Sequence, residues 1–273
     1  MREENLLLAS LPNEERERLS PYLRKVALDF QQVLIEPNKD ITDIYFPYDA
    51  ITSTIQEMSD GDSVETGLMG IEGFIGVQLW LGARTTPTRT LVQVPGEAYH
   101  MSAADFIRHV RDADSPLNKL CGKYAHAFLV MTSQTAACNR LHPVNERLCR
   151  WLKLVHNRVR RDEFPMRQGF IAMMLGVHRP TVSTAANMLQ QAGLIAYSRG
   201  QMRIVDADGL RNGSCECLEI IESSLKKCLR NLYVQTARHH PHPAPAVELF
   251  RILPGPRRHL PTNSSDYWLF AQT

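Results

Sequence analysis

Four hydrogen-bonding side chains in the second half of the chain are spaced so that a single helix would present them on one face. None of the four is acidic, and a polar-to-basic helix face matches the hydrogen-bonding base edges in a DNA major groove. The four are Arg179, Ser183, Asn187 and Gln190. The opposite face would be apolar, because Val182, Ala186 and Leu189 are spaced by four and three residues.

The residues before this helix predict that it is the second helix of a helix-turn-helix. Ile171 and Leu175 lie one helical turn apart, as one buried face requires. Gly176 gives the backbone the freedom that a tight turn needs, and Val177 can fill the inside of that turn. Together these features indicate a helix-turn-helix, and an ordinary helical hairpin is the alternative.

A β-hairpin is predicted directly after the second helix. Residues 195–205 alternate apolar with small or polar side chains on both sides of a turn near Arg199 and Gly200. Arg199 and Arg203 would lie on or beside this hairpin, where they could bind phosphates. The hairpin favours a winged helix-turn-helix over a helical hairpin alone.

The overall charge excludes a strongly basic molecule, so any affinity for nucleic acid must come from a local patch. The chain has 273 residues, enough for two domains, with a net charge of +2 and a pI of about 8.2. Such a patch is predicted before the helix-turn-helix, although a solvated helix face explains most of its charges. Its members are Arg140, Arg147, Arg150, Lys153, Arg158, Arg160, Arg161 and Arg167.

The cysteines show no spacing typical of a metal finger, and we expect no metal site. Two of them are separated by a single residue, closer than the usual knuckle of a tetrahedral zinc site. With no N-terminal signal or membrane-spanning apolar run, the composition indicates a reduced, cytoplasmic protein. The six cysteines are Cys121, Cys138, Cys149, Cys215, Cys217 and Cys228.

The first half of the chain predicts a helical start at residues 5–22 and then an antiparallel barrel or sandwich. Short β-rich runs separated by turn residues fill residues 29–101. We expect strands at residues 33–35, 41–46, 50–57, 63–69, 88–94 and 97–101. A small-barrel enzyme would need converging histidines and carboxylates, and His100 is the only histidine in this region, so we expect no enzyme.

Glycines recur at every third position in residues 70–76, at Gly70, Gly73 and Gly76. This spacing differs from the dinucleotide-binding fingerprint. Tight bends in a β-roll are favoured over direct ligand contact.

Residues 115–138 carry a heptad pattern that favours self-association over a buried core helix. A helix-turn-helix protein that binds two DNA half-sites obtains the spacing between them from a two-fold dimer, which also supports self-association. A further helix is predicted at residues 143–161. The heptad seam consists of Leu117, Cys121, Tyr124, Phe128, Met131, Thr135 and Cys138.

This order of parts resembles the Crp/Fnr family of bacterial transcription regulators over residues 5–229, most specifically at residues 70–76 and 175–183. The resemblance implies an α+β fold with an N-terminal antiparallel, jelly-roll-like β-roll, a long dimerisation helix and a C-terminal winged helix-turn-helix. It implies a homodimeric DNA-binding regulator whose roll senses a signal. The expected domains are a cyclic-nucleotide-binding-like sensor roll at 1–114, a dimerisation helix at 115–140, a DNA-binding domain at 141–211 and a partly disordered extension at 212–273.

Residue by residue, the resemblance places Arg179 where the family reads a base and Thr181 where it meets phosphate. Pro180 replaces the family's usual glutamate, which removes an acceptor for cytosine and predicts a different half-site. Proline also restricts the residue before it, so Arg179 could cap the helix. The expected base-reading residues are His178, Arg179, Pro180, Ser183, Thr184 and Asn187. The expected phosphate contacts are Arg167, Gln168, Thr181, Arg199, Gln201 and Arg203.

The sensor half departs from the cyclic-nucleotide binders of the family. Val77 follows Gly76 where those proteins have a ribose-binding glutamate, so a cyclic nucleotide is not expected and no cofactor is assigned. Arg89 could still bind an anion, in an effector pocket formed by Gly76, Val77, Arg89, Thr90 and Leu91. The iron–sulphur branch is excluded because no cysteine precedes Cys121, and nothing singles out His100, His109 or His126 as haem ligands.

The tail is predicted to be extended or disordered, because prolines are dense in residues 241–245 and 254–256. Metal binding by the histidines at 239–242 is a minor alternative. The expected partners are double-stranded DNA and a second copy of the chain, with RNA polymerase and an unidentified small-molecule effector as further candidates and no membrane. A ligand-binding adaptor of the same fold without DNA binding is the alternative function.

Overall fold

Two antiparallel sheets follow a short helical N-terminus in a computed structural model that describes residues 4–236, with side chains described to residue 229. The N-terminus has helices α1 (Leu6–Ala9) and α2 (Asn13–Leu19) and a 3₁₀-helix at Ser20–Tyr22. The first sheet has the order β1-β7-β3 and the second β2-β6-β4-β5. The strands are β1 (Arg24–Leu28), β2 (Val33–Ile35), β3 (Asp43–Pro47), β4 (Ile51–Glu57), β5 (Ser63–Met69), β6 (Arg89–Val94) and β7 (Gly96–Ser102).

These sheets form the expected roll, and the predicted α+β fold class is confirmed. All six predicted strands are present with small shifts at their ends. Strand β1 was not predicted because four of its five side chains are not buried, so it shows no apolar alternation. Helices α3 (Val77–Trp80) and α4 (Ala103–Val110) complete this part of the chain.

The long helix α5 (Pro116–Leu141) lies directly on the roll. Its N-cap is Ser115, whose hydroxyl accepts a hydrogen bond from the Asn118 amide at 3.1 Å. Gly73 allows the close approach, because a Cβ there would lie 2.0 Å from the Tyr124 ring. The glycine run is thus used for close packing beneath a helix, in addition to a bend at Gly76, where φ is 108°.

The remaining elements form a winged helix-turn-helix and two following helices. Helix α6 (Val144–Val159) leads to α7 (Gln168–Leu175) and α8 (Arg179–Gln191). The wing is a sheet of order β8-β10-β9, formed by β8 (Glu163–Pro165), β9 (Ile195–Ser198) and β10 (Gln201–Ile204). Helices α9 (Ala207–Asn212) and α10 (Cys217–Thr236) follow, and α10 packs along α5. No helix within residues 4–236 combines the length and apolar character that crossing a bilayer requires.

One hydrophobic core crosses from the roll into the helix-turn-helix. Ile55 of β4 and Trp151 of α6 belong to the same cluster of buried side chains. The Trp151 indole N–H donates to Glu65 Oε1 at 3.1 Å, and Arg158 Nε donates to Glu72 Oε1 at 2.8 Å. The described residues form one compact unit, so the domain boundaries stay a prediction. The predicted extended or disordered tail, and the alternative of metal binding by the histidines at 239–242, lie outside the described residues.

The predicted coiled-coil seam of α5 is covered within a single copy of the chain in this structure. Its side chains face the chain's own roll and α10, since all but the half-buried Phe128 are buried within a single copy. The exposed side of α5 instead carries Lys119, Lys123, His126 and Leu129. A homodimer would have to use a surface other than the seam, whose residues are Leu117, Cys121, Tyr124, Phe128, Met131, Thr135 and Cys138.

Candidate nucleic-acid interface

The start of α8 is fixed by His178, Arg179 and Pro180. His178 has extended backbone angles, φ −70° and ψ 144°, and is the N-cap, so Arg179 is the first helical residue and not the cap. Proline is tolerated in the first turn because the amides there have no carbonyl partner within the helix. The backbone therefore places Arg179 at the exposed beginning of the helix.

The outer face of α8 is open and its inner face is buried, as the periodicity predicted. Val182, Ala186 and Leu189 are buried in the core. The exposed predicted residues are His178, Arg179, Pro180, Thr181, Thr184 and Asn187. The helix therefore presents a surface without acidic residues to a partner in solution.

Two side chains expected on the outer face bond within the protein instead. Ser183 Oγ donates to Gln168 Oε1 at 2.8 Å, and Gln190 Oε1 accepts the Tyr197 amide N–H at 2.8 Å. The backbone N–H of Gln168 also donates to the Tyr197 hydroxyl at 3.1 Å. Gln190 thus connects α8 to the wing, which corrects its assignment to the reading face, and Ser183 connects α8 to α7.

The wing is a tight hairpin with arginines on its exposed side. Arg199 and Gly200 have φ of 49° and 78° between the paired residues Ser198 and Gln201, which is a two-residue type I′ turn. Arg203 alternates with buried Met202 and Ile204 and is exposed. Its Nε lies 3.9 Å from Glu163 Oε1, a loose, exposed pair that leaves it available to a phosphate.

Three arginines predicted separately line one groove. Arg167 precedes α7, Arg179 begins α8 and Arg199 lies at the wing turn. Phe30 and Gln31 of the roll form the other wall, and no acidic side chain lines this groove. The guanidinium groups of Arg167 and Arg199 favour an anionic ligand such as a phosphate backbone, and Arg179 lies beside them at the start of α8.

The basic patch predicted before the helix-turn-helix is wrong for half of its members. Arg147, Arg150, Lys153 and Arg158 of α6 are buried and face the chain's interior. The Arg147 guanidinium donates to the Leu175 carbonyl and to Asn139 Oδ1. The exposed members are Arg140, Arg160, Arg161 and Arg167.

Residues 146–212 match the family model described as the Crp-like helix-turn-helix domain. This range begins within α6 and ends with α9, so it contains the whole helix-turn-helix and both strands of the wing hairpin. A search of curated proteins finds no match to the sequence.

Several solved structures share the fold over most of this chain. A protein from Eubacterium rectale assigned to the Crp/Fnr family of transcriptional regulators has a TM-score of 0.59 at 15% identity, covering 77% of this chain and 99% of its own. The c-di-GMP-responsive global regulator CLP of Xanthomonas campestris has 0.57 at 16% identity, covering 71% and 99%. FixK2 of Bradyrhizobium japonicum has 0.59 at 12% identity, covering 71% and 98%.

The chain carries a Crp-like helix-turn-helix domain on a Crp/Fnr-type fold. The resemblance drawn from the sequence is confirmed for the helix-turn-helix domain and for the fold. It does not by itself assign any residue to a base or a phosphate.

The five residues predicted to line an effector pocket contact different parts of the Crp/Fnr-type roll: Gly76, Val77, Arg89, Thr90 and Leu91. Gly76 precedes α3 and lies against Ile44 of β3. Arg89 Nη1 donates to Glu57 Oε1 at 2.6 Å, and its Nη2 lies 3.8 Å from Glu36 Oε2. The other three side chains are buried. An anion would therefore have to compete with two carboxylates for Arg89, and the pocket stays a prediction.

Sequence reasoning missed a cluster of metal-ligating side chains outside the Crp-like domain's reading face. The donor atoms of Cys138, His142, Cys215 and Cys217 all lie within 4.8 Å of one another. The expectation of no metal site rested on the spacing of the cysteines and did not consider this cluster. Residues more than seventy positions apart meet here because α10 returns along α5, and no local spacing rule could reveal that.

Proposed function

We propose that the protein is a sequence-specific DNA-binding transcription regulator that reads a palindromic operator as a homodimer. The observation that carries this proposal is the open face of α8, flanked by Arg167 and the arginines of the wing. The Crp-like domain and the fold of its structural relatives support DNA as the partner. No cluster of catalytic groups is needed for this activity.

The chemistry divides between base reading and phosphate binding. Arg179 at the start of α8 can bond guanine O6 and N7 through two N–H groups, and Asn187 can pair with adenine in the same groove. Arg199 and Arg203 on the wing, with Arg167 before α7, would neutralise phosphates and fix the position of the helix. Thr181 and Gln201 are exposed beside them and complete the proposed phosphate contacts.

A two-fold pair of chains would place two α8 helices in successive major grooves, about 34 Å apart. Since the seam of α5 is covered, we assign the contact between copies to the exposed side of α5, where Leu129 is 63% exposed. A signal in the roll would shift the population between two arrangements of the recognition helices. We also propose RNA polymerase and a small-molecule effector as partners of the protein.

Selection of bound DNA from a random library tests this function. We expect enrichment of a palindrome, and Arg179→Ala should then cost about 1–3 kcal/mol on the enriched site with little change on scrambled DNA. Arg24→Ala, at an exposed arginine of β1, is the matched control and should bind as the unmodified protein does.

Two results would contradict the proposal. Equal weakening of specific and scrambled DNA by Arg179→Ala would remove this residue from base reading. If no sequence were enriched and no fragment bound, the protein would be a ligand-binding adaptor of the same fold.

A further inference from the structure

Four side chains at the junction of α5 and α10 converge on one point. Cys138 lies in the last turn of α5 and His142 is the C-cap of that helix. Cys215 precedes α10 and Cys217 is its first residue. The Sγ atoms of Cys138 and Cys215 are 3.5 Å apart, and Cys217 Sγ is 3.5 Å from His142 Nδ1.

These separations match the edges of a metal-centred tetrahedron. Zinc–sulphur bonds of about 2.3 Å and zinc–nitrogen bonds of about 2.0 Å put neighbouring ligand atoms roughly 3.5–3.8 Å apart. All four donors here lie within 4.8 Å of one another, so small side-chain adjustments would close the tetrahedron. Three thiols and one imidazole are a ligand set typical of closed, structural zinc sites.

The surrounding groups orient the donors as the outer shell of a metal site does. His142 directs Nδ1 at the thiols, while its Nε2 lies 3.3 Å from Glu216 Oε1. Metal-bound histidines commonly donate their second ring N–H to a carboxylate in this way. Gln134 Nε2 donates to Cys217 Sγ at 3.1 Å, a bond that stabilises a thiolate.

We propose that Cys138, His142, Cys215 and Cys217 bind one Zn²⁺ as a structural site. Binding would release three thiol protons to solvent and leave three thiolates on the dication, a net charge of −1. Arg147 and Arg150 interact electrostatically with Cys138, so the interior has positive charge to balance it. No electron transfer is involved, and all four ligand positions come from the protein.

The site would join the end of α5 to the start of α10 and so hold α10 against the long helix. The segment between His142 and Cys215 contains the whole helix-turn-helix and its wing. A metal at this point closes that segment into a loop whose two ends are held together where α5 meets α10. This restricts the unfolded chain and also fixes the position at which α6 leaves α5.

Metal analysis of the purified full-length protein, prepared in reducing buffer, tests the site. We expect about one zinc per chain and no visible colour, and a Co²⁺-loaded sample should show the strong visible bands of tetrahedral thiolate coordination. Cys215→Ser and His142→Ala should lose most of the zinc. Cys228→Ser, at another buried cysteine outside the cluster, is the matched control and should retain it.

A second measurement keeps the proposal testable if the ligand variants do not fold. Removal of zinc from the unmodified protein by a chelator should lower its melting temperature, and added Zn²⁺ should restore it. Absence of stoichiometric zinc, a Cys138–Cys215 disulfide in the freshly reduced protein, or zinc that survives in Cys215→Ser would overturn the proposal. Iron with acid-labile sulphide would overturn the assignment to zinc.

Discussion

Glu65 is a carboxyl group buried between the roll and α6. It accepts hydrogen bonds from Ser53 Oγ at 2.6 Å and from the Trp151 indole at 3.1 Å. Burial raises the pKa of Glu65 from 4.5 to about 7, although its hydrogen bonds and the nearby Arg150 and Arg158 oppose the shift. The folded state therefore favours the protonated carboxyl more than the unfolded chain does.

A raised pKa in the folded state predicts the direction of a pH effect. The stability contributed by Glu65 should be fully present below pH 4.5 and fall by about 3 kcal/mol as the pH rises to about 7. Glu65→Gln, which stays neutral, should flatten the unfolding free energy across this window in urea titrations. Glu17→Gln, on the exposed side of α2, is the control, and an unchanged slope in Glu65→Gln would contradict the prediction.

Single residues of α8 show what the sequence could and could not predict. Periodicity correctly separated Val182 and Leu189 from the exposed Asn187, because helical geometry alone decides which side chains share a face. It misplaced Gln190 because the bond to the Tyr197 amide depends on where the wing folds back. Which partner a polar side chain bonds to depends on the tertiary structure, so it cannot be predicted from spacing within one helix.

The same limit applies at the scale of the elements. The heptad pattern of α5 correctly predicts an apolar stripe, but the roll and α10 cover that stripe rather than a second copy. A buried stripe has the same sequence signature whichever surface covers it. Helix α10 was not predicted, and without it neither the covered seam nor the cysteine cluster could be anticipated.

Packing of α5 against the roll predicts that Gly73 cannot accept a side chain. A methyl group there would overlap the Tyr124 ring, so Gly73→Ala should lower the free energy of unfolding by roughly 1–3 kcal/mol. Urea titration measures this cost. Adding Tyr124→Ala should make the double variant less destabilised than the sum of the two single changes.

Gly169→Ala provides the control for that prediction. A Cβ at Gly169 would meet no atom within 4 Å, and alanine favours the helical conformation of α7. The substitution should be neutral or mildly stabilising. Additive effects of Gly73→Ala and Tyr124→Ala would mean that the ring does not restrict this position.

The wing predicts a salt-dependent contribution from Arg203. If this exposed side chain neutralises one phosphate, Arg203→Ala should reduce the slope of log affinity against log salt by about one unit. The loose pair with Glu163 competes with the phosphate, so Glu163→Gln should strengthen binding at low salt. DNA titrations at several salt concentrations measure both, and an unchanged slope in Arg203→Ala would exclude this contact.

At the scale of the whole molecule, the roll and the Crp-like domain share one core. Ile55 of the roll and Trp151 of α6 lie in one cluster, and the buried Arg158–Glu72 ion pair joins the same two parts. Side chains in direct contact therefore connect the roll to α6. This contact gives the proposed signal a physical route to the recognition helix.

A shared core predicts that the two parts unfold together. Urea unfolding followed by far-ultraviolet circular dichroism should coincide with unfolding followed by Trp151 fluorescence, in a protein carrying Trp80→Phe and Trp268→Phe. Ile55→Ala should lower the free energy of unfolding by about 2–5 kcal/mol, because the cavity destabilises a core common to both parts. Both curves should therefore shift equally to lower urea concentration. Separate midpoints, or a shift in only one curve, would show that the roll can lose its structure while α6 stays folded. The shared core would then not couple the two parts, and the proposed route from the roll to α8 would fail.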